Sequence, residues 1–155
     1  MPIIRSNTVQ VHVAAYVPEL RKYKFLVLQR SSKSKLYPKM WQTITGKLKS
    51  KETAKNAAIR EFVEETGLKA TSAWAIPYVS TFYDYRRDII QMSPVFGVEV
   101  DFRSKIKLSD EHQAYEWLSF ENCMKKFPLA SHQEGLQRFW DVILSKEDRS
   151  LFKII

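Results

Sequence analysis

From Thr53 to Thr66 the chain admits one local structure. Ala54, Ala57, Ala58, Phe62 and Val63 recur at three- and four-residue intervals, the period of a helix with one buried face. Gly67 follows where a C-cap glycine belongs, one of only four glycines in 155 residues. On this helix Glu61, Glu64 and Glu65 stand at i, i+3 and i+4, so their carboxylates share a face. Exposed like charges so placed cost a few tenths of a kcal/mol per pair. A divalent cation among them reverses that cost, and an all-oxygen donor set selects Mg²⁺ or Mn²⁺ over softer metals. A solvated acidic face is the equal alternative on the triple alone.

The wider spacing breaks that tie. Gly46, five residues, Glu52, seven residues, then Arg60-Glu61-Phe62-Val63-Glu64-Glu65-Thr66-Gly67-Leu68 resembles the Nudix box of the Nudix hydrolase family. All seven fixed identities of G-x5-E-x7-R-E-U-x-E-E-x-G-U are present, with Phe62 a bulkier version of the first aliphatic position. At average residue usage such a match arises by chance on the order of once in 10⁸ registers. The runs Trp41-Gln42-Thr43-Ile44-Thr45-Gly46 and Glu111-His112-Gln113-Ala114-Tyr115-Glu116-Trp117-Leu118 are similar to the dihydroneopterin triphosphate diphosphatase and dATP pyrophosphohydrolase branch.

The resemblance implies an α+β protein with the Nudix fold, an α/β/α sandwich around a mixed sheet, with residues 1–155 as one domain and the box at 46–68. It implies Mg²⁺-assisted attack of water on a phosphoric anhydride, with Mn²⁺ as an alternative ion. Glu61, Glu64 and Glu65 become metal ligands. Arg60 pairs with and orients a box carboxylate, Glu61 first, as a bidentate guanidinium can. Glu52 supports the site from the amino-terminal side of the helix, and the absence of a Cβ at Gly46 lets metal and phosphate approach the backbone. The general base is a box glutamate or one from a later loop, for which Glu111 is the choice because it precedes a strand-like run; a surface acid beside Asp110 is its bland alternative.

The remaining pattern supplies the frame. Residues 8–17 and 24–29 read as strands joined by a hairpin, 31–39 as an exposed basic loop, and 41–45 as a short strand leading into Gly46. Residues 73–83 and 89–100 read as two strands around a turn at 84–88, 114–118 as another strand, and 120–127 and 133–144 as helices.

Composition excludes several classes. The 45% apolar share can build a core, so the chain is not disordered. The single Cys123 rules out an internal disulfide and, on a helix without a partner motif, reads as inert. No run approaches the roughly 18 apolar residues of a membrane span, and the first residues lack a signal-peptide core, so the expected location is the cytoplasm. The net charge of +8 fits an anionic partner. Its lysines and arginines are scattered, so nucleic acid is not the expected partner, an RNA 5′ end excepted.

Candidate substrate contacts each carry a bland alternative. Arg30 is read as a phosphate clamp or a surface arginine, Trp41 as a base or pterin stack or packing, and Gln42 as a reader of a base edge. Lys47, with Lys49 and Lys51, meets substrate phosphates or faces solvent. Lys49 and Lys51 replace the Glu and Gly that many family members carry there, and losing the glycine stiffens the loop. Tyr83 lies near the place of a tyrosine in the family's dinucleoside polyphosphate hydrolases, with core packing the alternative. His12, His112 and His132 show no zinc spacing and read as structural or surface groups. The expected substrate is a (deoxy)nucleoside triphosphate or dihydroneopterin triphosphate, cut to monophosphate and pyrophosphate. A dinucleoside polyphosphate hydrolase of the Ap4A type is the rival, and a non-catalytic nucleotide or RNA 5′-end binding module ranks below both.

Overall fold

Strand β2 (Thr8–Val17) organises the molecule, and the computed structural model describes it together with every other residue from 1 to 155. Its β-branched residues alternate with others, which sends successive side chains to opposite faces. Val9, Val11, Val13 and Ala15 enter one apolar cluster, where they meet Ala57, Ala58 and Phe62 of helix α1 (Ala54–Thr66). Ala14 enters a second cluster with Leu136 and Phe139 of helix α3 (Ala130–Phe139). Gln10 and His12 face α3 too, since a Cβ on Gly135 would collide with both. Helices therefore cover both faces, as the α/β/α expectation requires.

The sheet is mixed. β2 runs parallel to β7 (Ile89–Glu99), which pairs antiparallel with β6 (Ser72–Asp84) and parallel with β1 (Ile3–Arg5). On its other side β2 changes partner. Thr8–Val11 pair with β5 (Ile44–Lys47), whereas Ala14–Val17 pair with β3 (Lys22–Arg30). Beyond Phe25, β3 turns away to pair with β8 (His112–Leu118) and with the two-residue β4 (Trp41–Gln42). That divergence brings the ends of β4, β5 and β8 close to α1.

Several boundaries differ from the sequence reading. The predicted strand 41–45 is two strands, because Thr43 leaves the ladder and donates its hydroxyl to the carbonyl of Val11. Gly46 consequently lies inside β5 rather than after a strand. Helix α2 covers Phe120–Lys126. The predicted helix 133–144 begins earlier, at Ala130, and its last turn, Trp140–Leu144, winds as a π-helix. β1 escaped the sequence reading because three exposed residues carry no alternation to detect. No helix is long and apolar enough to cross a membrane.

Candidate functional site

Helix α1 is fixed at both ends by its own sequence. Thr53 caps it by accepting a hydrogen bond from the Asn56 N–H, and Gly67 ends it at φ 65°, donating its N–H to Val63. Burial of Ala57, Ala58 and Phe62 then sets its rotation and turns Glu61 and Glu65 inward, while Glu64 stays exposed. Gly46 makes room for Glu61, for a Cβ there would overlap the Glu61 carboxyl group. The missing Cβ thus admits the Glu61 side chain beside the backbone of β5.

Arg60 straps the preceding loop to the helix. It grips Glu52 with two hydrogen bonds of 2.8 Å, donates to the Lys47 carbonyl at 2.9 Å, and reaches Glu61 at 2.7 Å and Glu64 at 3.2 Å. Its bidentate partner is thus Glu52, with Glu61 receiving a single bond. The guanidinium holds the Glu52 carboxyl down at about 2. Glu61 moves the other way: burial raises it, against the lowering effect of Arg60.

His112 is the residue that sequence reasoning missed. Far from being a surface group, it is buried, with Nδ1 2.7 Å from Oε2 of Glu65 and Nε2 2.9 Å from the amide nitrogen of Gln42. An amide nitrogen only donates, so Nε2 of His112 accepts and Nδ1 carries the proton toward Glu65. The Ser109 hydroxyl donates to the same Glu65 oxygen at 2.7 Å. Burial pushes Glu65 upward, but these bonds outweigh it and hold the carboxyl below its ordinary value. Partial desolvation, and then the neighbouring Glu65 charge, raise the carboxyl of Glu111, although its side chain still reaches solvent. The only advance signal was the position of His112 one residue after Glu111.

Four carboxylates therefore lie on one side of α1, with Glu111 near enough to Glu65 to be raised by its charge. The donor set is hard oxygen, suited to Mg²⁺ or Mn²⁺. As the side chains stand, no group of three His, Cys, Asp or Glu is assembled as a metal-binding cluster. Arg60 holds Glu61 and Glu64, while Glu111 and Glu64 are exposed.

On the opposite face of the sheet lies a cavity of about 210 Å³, walled by β1, β2, β5, β6, β7, the loop 31–40 and the start of α3. Lys47 is exposed and borders it, while its carbonyl holds Arg60. Gln42 lines it as well, but its amide nitrogen is bonded to His112, so it links cavity to carboxylates rather than standing free to read a base. Arg30 borders the cavity with its guanidinium already bonded to the Leu36 carbonyl and the Ser34 hydroxyl, which folds the basic loop. Trp41 does not line it. Lys126 Nζ sits 4.4 Å from the centre of that ring, and the indole packs on the second apolar cluster. Tyr83 is 53% exposed and donates to Asp88, so it belongs neither to the core nor to the cavity. Cys123 is buried, and burial pushes its thiol to about 12, which leaves it inert.

Comparison with known proteins identifies the family through a domain model. The model of the NUDIX domain matches residues 9–139. An octanoyltransferase of Myxococcus xanthus is 30% identical over 105 residues, which is 63% of this chain; the chain spans only 28% of that curated relative. The structure of an Ap4A hydrolase of C. elegans in a binary complex superposes with a TM-score of 0.72 at 19% identity, covering 93% of this chain and 99% of that one. The dihydroneopterin triphosphate pyrophosphohydrolase of E. coli gives a TM-score of 0.69 at 22% identity, over 90% and 97%. At these identities the structural likeness carries the fold.

Proposed function

The chain belongs to the NUDIX family, with a hydrolase domain for phosphoric anhydrides, and from that premise we propose that it cleaves a (deoxy)nucleoside triphosphate or dihydroneopterin triphosphate to monophosphate and pyrophosphate. One observation carries the reading. Glu65 is fixed by His112 and Ser109 with Glu111 near it, and Gln42 ties that group to a cavity bordered by cations. Arg5, Arg30, Lys47 and Arg87 border the cavity and no Asp or Glu lines it. That is the polarity a polyphosphate requires.

Glu61, Glu64, Glu65 and Glu111 would hold a divalent cation, Mg²⁺ or Mn²⁺. Bound there, the ion would supply charge neutralisation at the anhydride and lower the pKa of water. The protein's own part is positional. Arg60 keeps Glu61 oriented, and His112 and Ser109 keep one Glu65 oxygen engaged so that the other is presented. Glu111, raised by burial and by Glu65, is the group placed to accept a proton from attacking water. The dinucleoside polyphosphate reading is favoured by the likeness to the Ap4A hydrolase and loses the support of Tyr83, which stands off the cavity.

Product analysis with Mg²⁺ and a panel of anhydrides tests the proposal: dATP and the other triphosphates, dihydroneopterin triphosphate, diadenosine tetraphosphate and ADP-ribose. Metal-dependent release of pyrophosphate from a triphosphate is the expected result. Faster cleavage of the dinucleotide moves the substrate to the second reading, and no turnover on any member removes the hydrolase reading.

A further inference from the structure

One end of the cavity is built from neutral polar groups whose arrangement no catalytic role explains. Gln10, Ser80, Ser131 and His132 are buried there, between 2% and 7% exposed, and all four line the cavity. Gln10 is fully engaged. Its carbonyl oxygen takes a hydrogen bond from Nε2 of His12 at 3.0 Å, and its amide donates to the Ser80 hydroxyl at 3.3 Å and the Ser131 carbonyl at 3.2 Å. Ser80 receives a proton there, which leaves its own O–H free to donate.

His132 decides the character of this end. Its Nδ1 is enclosed and has no partner, the single side-chain nitrogen or oxygen of the protein in that condition. Burial draws the ring down to about 4, so it is neutral near pH 7 and carries one N–H. An enclosed N–H without an acceptor costs more than an enclosed lone pair, so the proton resides on Nε2. Nε2 is not enclosed, and the residue borders the cavity, so this N–H is offered to it. The start of α3 lies beside it with no side-chain cap, adding the positive end of a helix dipole. Donors thus predominate at this end: Gln10 Oε1 and the Ser131 carbonyl are already occupied, and the Ser131 hydroxyl can turn either way.

We propose that this end of the cavity binds the heterocycle of the substrate through an oxo-bearing edge, with Nε2–H of His132 and Oγ–H of Ser80 as donors. Guanine presents adjacent O6 and N7 acceptors, whereas adenine places an amine donor beside N7, facing the protein's donors. The pterin ring carries a comparable oxo group. The site is therefore selective for guanine- or pterin-type rings over adenine. The inference rests on the hydrolase reading only in taking the cationic border as the polyphosphate end.

Titration calorimetry with GMP and AMP reads this without any turnover. The native chain is expected to bind GMP more tightly by about tenfold, the scale of one good base-edge discrimination. His132→Phe keeps a ring against Phe127, whose centroid lies 5.6 Å away, but removes the donor. It should bring the two affinities within about twofold, as should Ser80→Ala, with thermal melts showing each variant folded. His132→Gln, which restores an N–H, should recover part of the difference. Equal affinities in the native chain, or a preference that survives both removals, overturns the proposal. A retained GMP preference without hydrolysis of GTP or any other anhydride supports it and overturns the hydrolase reading alone.

Discussion

The two faces of the sheet carry polar machinery of opposite kinds. On the α1 face the groups are ionised: Arg60 answers Glu52, Glu61 and Glu64, and the outer members of the set reach water. On the α3 face they are neutral and enclosed: Gln10, His12, Ser131 and His132. Charges are tolerable on the first because Arg60 or solvent answers Glu52, Glu61 and Glu64, and hydrogen bonds from His112 and Ser109 hold the buried Glu65. At the enclosed end of the second, burial forbids charge and leaves hydrogen-bond direction as the information, while Arg5, Arg30, Lys47 and Arg87 stand at the border of the cavity. One face suits chemistry and the other recognition, and Gln42 and Lys47 stand in contact with both.

The sharpest way to break this division is Glu65→Gln. It leaves shape nearly intact but removes a charge from the carboxylate group, and hydrolysis of the best triphosphate should fall by about 10²–10⁴-fold with the fold retained. Activity within threefold of the native chain would strip the α1 face of its assigned role. Next is His112→Phe, which frees Glu65 from one of its two fixed partners. A loss of about 10–100-fold, with weaker Mn²⁺ binding by titration, is expected of a positioning residue. A change in melting temperature alone would make it merely structural.

Acid should separate the faces by stability. Burial lowers His132 to about 4 and His12 well below its ordinary value, with the neighbouring His132 adding to the effect on His12. Unfolded histidines titrate near pH 6.5, so below that the unfolded chain binds more protons than the folded one. Their contribution is complete above pH 6.5 and declines as pH falls toward about 4, by up to roughly 1.4 kcal/mol per pH unit for each histidine. Melting temperatures measured from pH 7 to 4.5 should fall accordingly, and His132→Phe should flatten the slope. The smallest effect expected is that of Lys51→Gly. Lys51 holds φ at 61°, left-handed backbone that favours glycine, so the loop is strained where a stiffer loop was anticipated. The substitution should raise stability by about 0.5–1 kcal/mol in denaturant melts, with turnover unchanged.

Much of helix α1 was legible because its information is local. Helical spacing alone places Glu61, Glu64 and Glu65 together, and a glycine after the last periodic residue ends the helix. Strand alternation likewise located β2 and its neighbours. Single side chains were harder. For Trp41 the sequence leaves stacking and packing both open, and the choice of packing is made by the second apolar cluster and by Lys126 from α2, 85 positions later in the chain. For Arg30 the sequence leaves a phosphate clamp and a surface arginine both open, and the loop that follows it takes up guanidinium donors at Leu36 and Ser34.

The sequence by itself determined the family, the fold class and the carboxylate-bearing helix, all written in spacings of a few residues. The tertiary structure alone decided that His112 meets Glu65 across 47 positions, that Gly46 leaves room for Glu61, and that Gln10 meets Ser131 across 121. Those contacts arise where β3 leaves β2 and where α3 closes over the sheet, and strand divergence leaves no periodic trace in the residues it brings together.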